Sequence, residues 1–115
     1  MELSIREHRQ ADVITIRGRV DSFSAEQLSQ VIAGAHQRGK YRLVLDMSQV
    51  EFLSSAGLRA LVEAQRHTTA LGLGEITLAQ LPPRLEELLE MTGLSRDFRT
   101  FETVAAALAY ASQGL

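Results

Sequence analysis

The sequence predicts an α/β domain: a mixed, mostly parallel sheet of about five strands with about four helices, in the order β-β-α-β-α-β-α-β-α. Three observations predict it. After a first hairpin, short strand-like stretches alternate with stretches whose apolar residues recur at helical spacing. Glycines or prolines stand where one kind of stretch gives way to the next. Finally, Leu43-Val44-Leu45 is continuously apolar, as expected for a strand covered on both faces.

Taken in order, Leu3 and Ile5 alternate with polar residues, as do Ile14 and Ile16, which predicts two strands. The polar stretch His8–Asp12 between them is short enough for a hairpin turn, and Gly18 is expected to end the second strand. Ser24 followed by Gln27 has the spacing of a capping box. Leu28, Val31, Ile32 and Ala35 then mark one helical face, which Gly39 closes. A third strand at Leu43–Leu45 and a turn at Asp46–Ser55 lead into a second helix with Leu58, Leu61, Val62 and Gln65 on one face, ended by Gly72 and Gly74. Glu75–Ala79 reads as a fourth strand. Pro82-Pro83 opens a helix carrying Leu85, Leu88 and Leu89, which Gly93 terminates. Phe98–Phe101 reads as a short fifth strand and Val104–Ala111 as a closing helix. No linker or internal repeat interrupts the chain, so residues 1–115 are expected to form one unit.

Composition narrows the functional classes. The 115 residues carry a net charge of −2, with scattered arginines, which argues against the basic patch that a nucleic-acid surface needs. There is no run of about 18 apolar residues for a membrane span and no signal-peptide pattern at the N-terminus. The absence of cysteine excludes a disulfide framework and thiolate metal sites, and suits a reducing, cytoplasmic setting. The three histidines lack metal-ligand spacing, and no glycine-rich phosphate loop is present. Neither metal nor cofactor is expected.

The stretch Val50-Glu-Phe-Leu-Ser-Ser-Ala-Gly-Leu58 carries the chemistry. Parallel second and third strands would deliver their following turns to one edge of the sheet, where sites of open α/β folds gather. That arrangement would place Asp21, Ser22, Asp46, Ser54 and Ser55 together. A serine there can cap the helix, attack a substrate or accept a phosphate. Two consecutive serines need only one cap. Asp21 can be a turn residue alone, and Asp46 a strand-end acceptor alone. Nucleophilic catalysis is disfavoured, because Ser-Ser-Ala-Gly lacks the first glycine of the nucleophile elbow. His8, His36 and His67 are expected to be solvated surface residues far from Ser55. The chain is therefore read as a binding protein rather than an enzyme.

Gly18-Arg-Val-Asp21, Leu43-Val-Leu-Asp46, the Val50–Leu58 stretch and the Pro82–Leu89 helix ending in Met91-Thr-Gly-Leu94 follow one another across nearly the whole chain. In that order they resemble the STAS domain, most closely the stand-alone bacterial anti-sigma factor antagonists. The resemblance implies a regulator that acts by partner switching. Unphosphorylated, it binds an anti-sigma factor that is also a serine kinase, freeing a sigma factor and so regulating transcription indirectly. Phosphorylation releases it, and a PP2C-type phosphatase restores it.

By motif position Ser55 is the phosphate acceptor, with Ser54 as the alternative. The well-studied members have aspartate where Ser54 stands, and often serine or threonine where Ala56 stands. Asp21 matches an acidic residue beside the acceptor. The implied partner surface comprises Asp21, Ser22, Asp46, Leu53, Ser54, Ser55 and Gly57, and of Phe52 and Leu53 one is expected in the core. A non-switching STAS subunit of a membrane transport complex, or a signalling scaffold, is the alternative. Oligomeric state is open between monomer and weak dimer.

Overall fold

The computed structural model describes residues 1–113. Strand β1 (Glu2–Glu7) and strand β2 (Asp12–Val20) form an antiparallel hairpin. Helix α1 (Ala25–Gln37), strand β3 (Leu43–Leu53), helix α2 (Ser55–Ala70), strand β4 (Ile76–Ala79), helix α3 (Pro83–Met91), strand β5 (Thr100–Phe101) and helix α4 (Val104–Ser112) follow. The sheet order is β1-β2-β3-β4-β5, with β2 to β5 mutually parallel. The predicted mixed sheet and element order are thus the observed ones. A 3-10 turn at Leu94–Asp97, between α3 and β5, was not foreseen.

Every parallel crossover steps the same way along the sheet. Right-handed connections then place α1, α2 and α3 on one face. Their Leu28, Ile32, Leu58, Leu61, Val62, Leu85 and Leu89 pack there against Ile14, Ile16, Leu43, Leu45, Ile76 and Leu78. On the other face α4 sets Ala107 and Ala111 against Val13, Val44 and Ala79. Strand β4 is buried at all four residues, as a strand covered on both sides must be. Buried Gln65 stitches α2 to this layer. Its amide donates to the Ile76 and Asp97 carbonyls at 2.8 and 2.7 Å, and its oxygen accepts from the Ile76 N–H at 2.8 Å. Both ends of a buried polar group are therefore satisfied. No helix among the described residues is long and apolar enough to cross a membrane.

Two local expectations need correction. Gly18 does not end β2: it sits inside the strand at φ 91°, opposite a register shift whose extra residue, Glu51, lies on β3. Ser24 occupies the first-cap position of α1 but makes no side-chain cap bond. Its backbone is already helical (φ −90°, ψ −17°), whereas a capping serine needs an extended backbone to turn its oxygen onto the helix. Gly39 does end α1. Its N–H donates to His36 and that of Lys40 to Ala35, the double closure that a left-handed glycine permits.

Candidate functional site

Strands β2 and β3 run on beyond β4. Ala79, the last residue of β4, pairs with Asp46, whereas β2 and β3 remain paired as far as Val20 and Leu53. The Ser54 N–H then donates to the Val20 carbonyl at 2.8 Å. Asp21 and Ser55, separate in sequence, therefore leave the sheet side by side. The contact is close enough to dictate the residue at position 57. A Cβ on Gly57 would stand 2.7 Å from Val20 Cγ1 and 2.9 Å from the Val20 carbonyl oxygen. Only glycine lets the first turn of α2 rest on the end of β2.

The two serines divide their work. Ser54 is extended (φ −77°, ψ 169°), and its Oγ accepts from the Gly57 N–H at 3.1 Å, which is the helix cap. Ser55 is the first residue of α2, exposed, with no hydrogen-bond partner for its hydroxyl among the described residues. No acidic residue lies in the first turn of α2. The positive end of the helix dipole and its free N–H groups thus face the Ser55 position unopposed from within the helix, a setting that favours negative charge.

The opposite wall is the turn after β2. Asp21 Oδ1 accepts from the Phe23 and Ser24 N–H groups at 3.0 and 3.1 Å and lies 3.2 Å from the Ser24 hydroxyl. The Asp21 N–H in turn donates to Ser24 Oγ at 2.8 Å. The Ser24 N–H, more than any other neighbour, holds the Asp21 carboxyl below its ordinary value; partial burial opposes it, and the Ser24 hydroxyl, the Phe23 N–H and Arg19 assist. Asp21 is accordingly a fixed negative charge. The turn it closes presents exposed Ser22 and a Phe23 that is 92% exposed. Nearby, the Arg19 guanidinium sits 4.3 Å from the centre of the Phe52 ring, which is also on the surface.

The structure brings together Asp21, Ser22, Ser54 and Ser55 and does not add Asp46. Strand β3 continues from Asp46 to Leu53, a run of roughly 20 Å at about 3.3 Å per residue. Asp46 instead accepts from the Ser48 N–H and the Gln80 side chain at 3.1 and 2.9 Å, the local acceptor role. Leu53 and Gly57 are buried, so they shape the site from beneath, and Phe52 is the exposed member of its pair. Phe23 was missed: it lies outside the helical phase of Leu28 and Ile32, and that lack of an inward position was its only signal.

His67 is exposed, as expected, but His8 and His36 are not the solvated residues expected. His36 is half-buried and stacked on Tyr41, and the His8 Nε2 is buried without a partner among the described residues. His36 and His67 meet near the far end of α2 from Ser55.

Comparison with known proteins agrees with this architecture. The STAS domain profile matches residues 2–107. BtrV of Bordetella bronchiseptica, provisionally named an anti-sigma factor antagonist, is 32% identical over 97 residues, 84% of this chain and 83% of its own. The crystal structure of an anti-sigma factor antagonist from Mycobacterium paratuberculosis superposes with a TM-score of 0.81 at 26% identity, covering 96% of this chain and 93% of that one. SpoIIAA of Bacillus, in its phosphorylated form, shares the fold with a TM-score of 0.73 at 19% identity, over 95% of this chain and 98% of its own. The match from residue 2 to residue 107 carries the conclusion: this chain belongs to the STAS domain family, among relatives named anti-sigma factor antagonists.

Proposed function

We propose that this protein is an anti-sigma factor antagonist that works by partner switching in the cytoplasm, with Ser55 as the switch. Unphosphorylated, it docks an anti-sigma factor that is also a serine kinase and so releases a sigma factor. Phosphorylation of Ser55 ends the complex, and a PP2C-type phosphatase resets it. The observation that carries this reading is the division of labour at the start of α2. Ser54 caps the helix while the Ser55 hydroxyl stays exposed and uncommitted.

The electrostatics support the direction of the switch. A phosphoserine carries about −1.5 to −2 charges and three acceptor oxygens. The N-terminus of α2 accommodates it, so the fold survives modification. Asp21, held ionised beside it, and acidic groups on a docked partner repel it. A loss of about 3 kcal/mol of binding weakens a complex more than a hundredfold. The protein needs no catalytic apparatus for this role, and the histidines that could serve Ser55 as a base lie elsewhere.

Incubation with the cognate anti-sigma kinase and ATP, followed by phosphosite mapping, tests the assignment. Phosphate is expected on Ser55. Ser55→Asp is expected to bind the kinase more weakly than the parent and Ser55→Ala to bind it constitutively. Phosphate on Ser54 alone, or parent-like binding by both variants, removes Ser55 from the switch.

A further inference from the structure

Among the described residues nothing pairs with the outer edge of β1, at one border of the sheet, and its sequence fits a second copy of itself. The hairpin fixes which groups face outward. The His8 N–H donates to the Ala11 carbonyl, and the β1–β2 register then runs unbroken from Glu7/Asp12 to Glu2/Arg17. Antiparallel pairs alternate between bonded and non-bonded, so Arg6/Val13, Ser4/Thr15 and Glu2/Arg17 exchange bonds within the hairpin. The Asp12 N–H donates towards β3, to the Arg42 carbonyl, as this phase requires. Leu3, Ile5 and Glu7 consequently direct their N–H and C=O groups to the free edge.

We propose that β1 pairs antiparallel with the β1 of a second copy, on a two-fold axis through Ser4. Only registers that match outward-facing residues with each other close hydrogen bonds. In the register that sets Leu3 against Ile5 of the second copy, Glu2 faces Arg6 of that copy and Arg6 faces its Glu2. Ser4 then meets itself. Sliding the strands so that Leu3 meets itself sets Glu2 against serine and leaves Arg6 unmatched. Sliding the other way, so that Ile5 meets itself, sets Leu3 against Glu7. One register therefore satisfies charge and apolar pairing together.

The side chains agree with this register. Leu3 and Ile5 lie opposite Ile16 and Ile14, on the face that α1 to α3 cover, and Ile5 is 41% exposed. Pairing extends that apolar layer across the axis. Charged residues ordinarily protect an edge strand from foreign strands. Here Glu2 and Arg6, both exposed, repel or ignore other sequences yet complement each other under two-fold symmetry.

Sedimentation of the full chain over a concentration series, with charge variants, tests the pairing. The parent is expected to shift towards twice its monomer mass as concentration rises. Arg6→Glu and Glu2→Arg are each expected to stay monomeric. Mixing these two variants is expected to restore a dimer, because each then offers the other a complementary strand, and that restoration also shows both are folded. Ser4→Cys supplies a second readout in a chain without cysteine. A non-bonded antiparallel pair has Cα atoms about 4.5 Å apart, within the span of a disulfide. Ser4→Cys is expected to cross-link under mild oxidation, and Glu2→Cys is not. A parent that remains monomeric into the millimolar range, or charge variants that fail to recombine, overturns the proposal. So does a monomeric chain whose Leu3, Ile5 and Glu7 amides become protected from exchange only when the anti-sigma partner is added, which assigns the edge to that partner.

Discussion

The Ser54 N–H donates to the Val20 carbonyl at 2.8 Å, and this bond aligns the two turns that form the site. Because Ser54 also caps α2, its hydroxyl and its backbone both hold the helix to the sheet. Ser54→Ala is expected to destabilise the fold by about 1 kcal/mol, the ordinary value of a serine cap. Ser55→Ala, which removes an exposed hydroxyl without a partner, is expected to stay within about 0.5 kcal/mol of the parent. Urea denaturation of both variants checks this. Equal losses would mean that the two serines share the cap.

Gly57→Ala sets two effects against each other. Alanine gains up to about 1 kcal/mol of helix propensity over glycine. Its Cβ, however, would press on Val20 Cγ1, on the Val20 carbonyl oxygen and on Leu53 Cδ1 at 2.7, 2.9 and 3.0 Å. Overpacking of this kind costs about 1–3 kcal/mol, and the carbonyl cannot retreat without disturbing its bond to Ser54. The variant is expected to be less stable than the parent and to show altered amide shifts at Asp21 and Ser55. A more stable Gly57→Ala would mean that α2 can lift off β2 at no cost.

The element order was legible because the helices obey their period and most strands are short. What was not legible follows from the bulges. Across Thr15/Arg17 and Gly18/Arg19, β3 uses more residues than β2. Its inward residues Met47, Val50 and Leu53 therefore fall three apart instead of two. That spacing hides a strand, so β3 was expected to stop near Asp46, and Asp46 was placed in a turn it does not reach. Gly18 misled as well, since a glycine with positive φ occurs beside an irregular strand pairing as readily as at a strand end. The pairing of Asp21 with the start of α2 was legible, because it depends only on two parallel neighbours. The exposure of Phe23 was not, since a hydrophobic residue in a turn carries no sign of which way it faces.

His36 gives the fold a dependence on pH. Its Nε2 lies 3.1 Å from Thr68 Oγ1, and the Thr68 hydroxyl donates to the Ala64 carbonyl at 2.7 Å. Thr68 is left as acceptor, which assigns a proton to His36 Nε2. Burial, followed by the neighbouring His67, lowers its pKa from the ordinary 6.5. The unfolded chain therefore binds the proton more readily. His36 contributes its full stability above about 6.5 and loses it as pH falls through the lower folded value. The urea midpoint is expected to drop over that interval, and His36→Gln is expected to show a shallower drop. An identical pH profile in the variant would place the sensitivity in other groups.

Phe23 is the surface residue on which partner binding should depend most. Its ring is 92% exposed, so it buries nothing in the free protein, and Phe23→Ala is expected to change folding by no more than about 0.5 kcal/mol. Yet its backbone is fixed, because the Asp21 carboxylate accepts its N–H at 3.0 Å. A docking partner would therefore meet an aromatic residue whose backbone is already held by Asp21, with only its ring rotamers left to order. Aromatic anchors of this kind are worth about 2 kcal/mol or more, close to thirtyfold in affinity. Calorimetric titration with the cognate anti-sigma factor is expected to show a loss of that order for Phe23→Ala. Under the switch proposed above, phosphorylation of Ser55 at saturating kinase is expected to be retained, since Ser55 and its helix are untouched. Parent-like affinity in Phe23→Ala would move the anchor to Phe52, the other exposed ring beside the site.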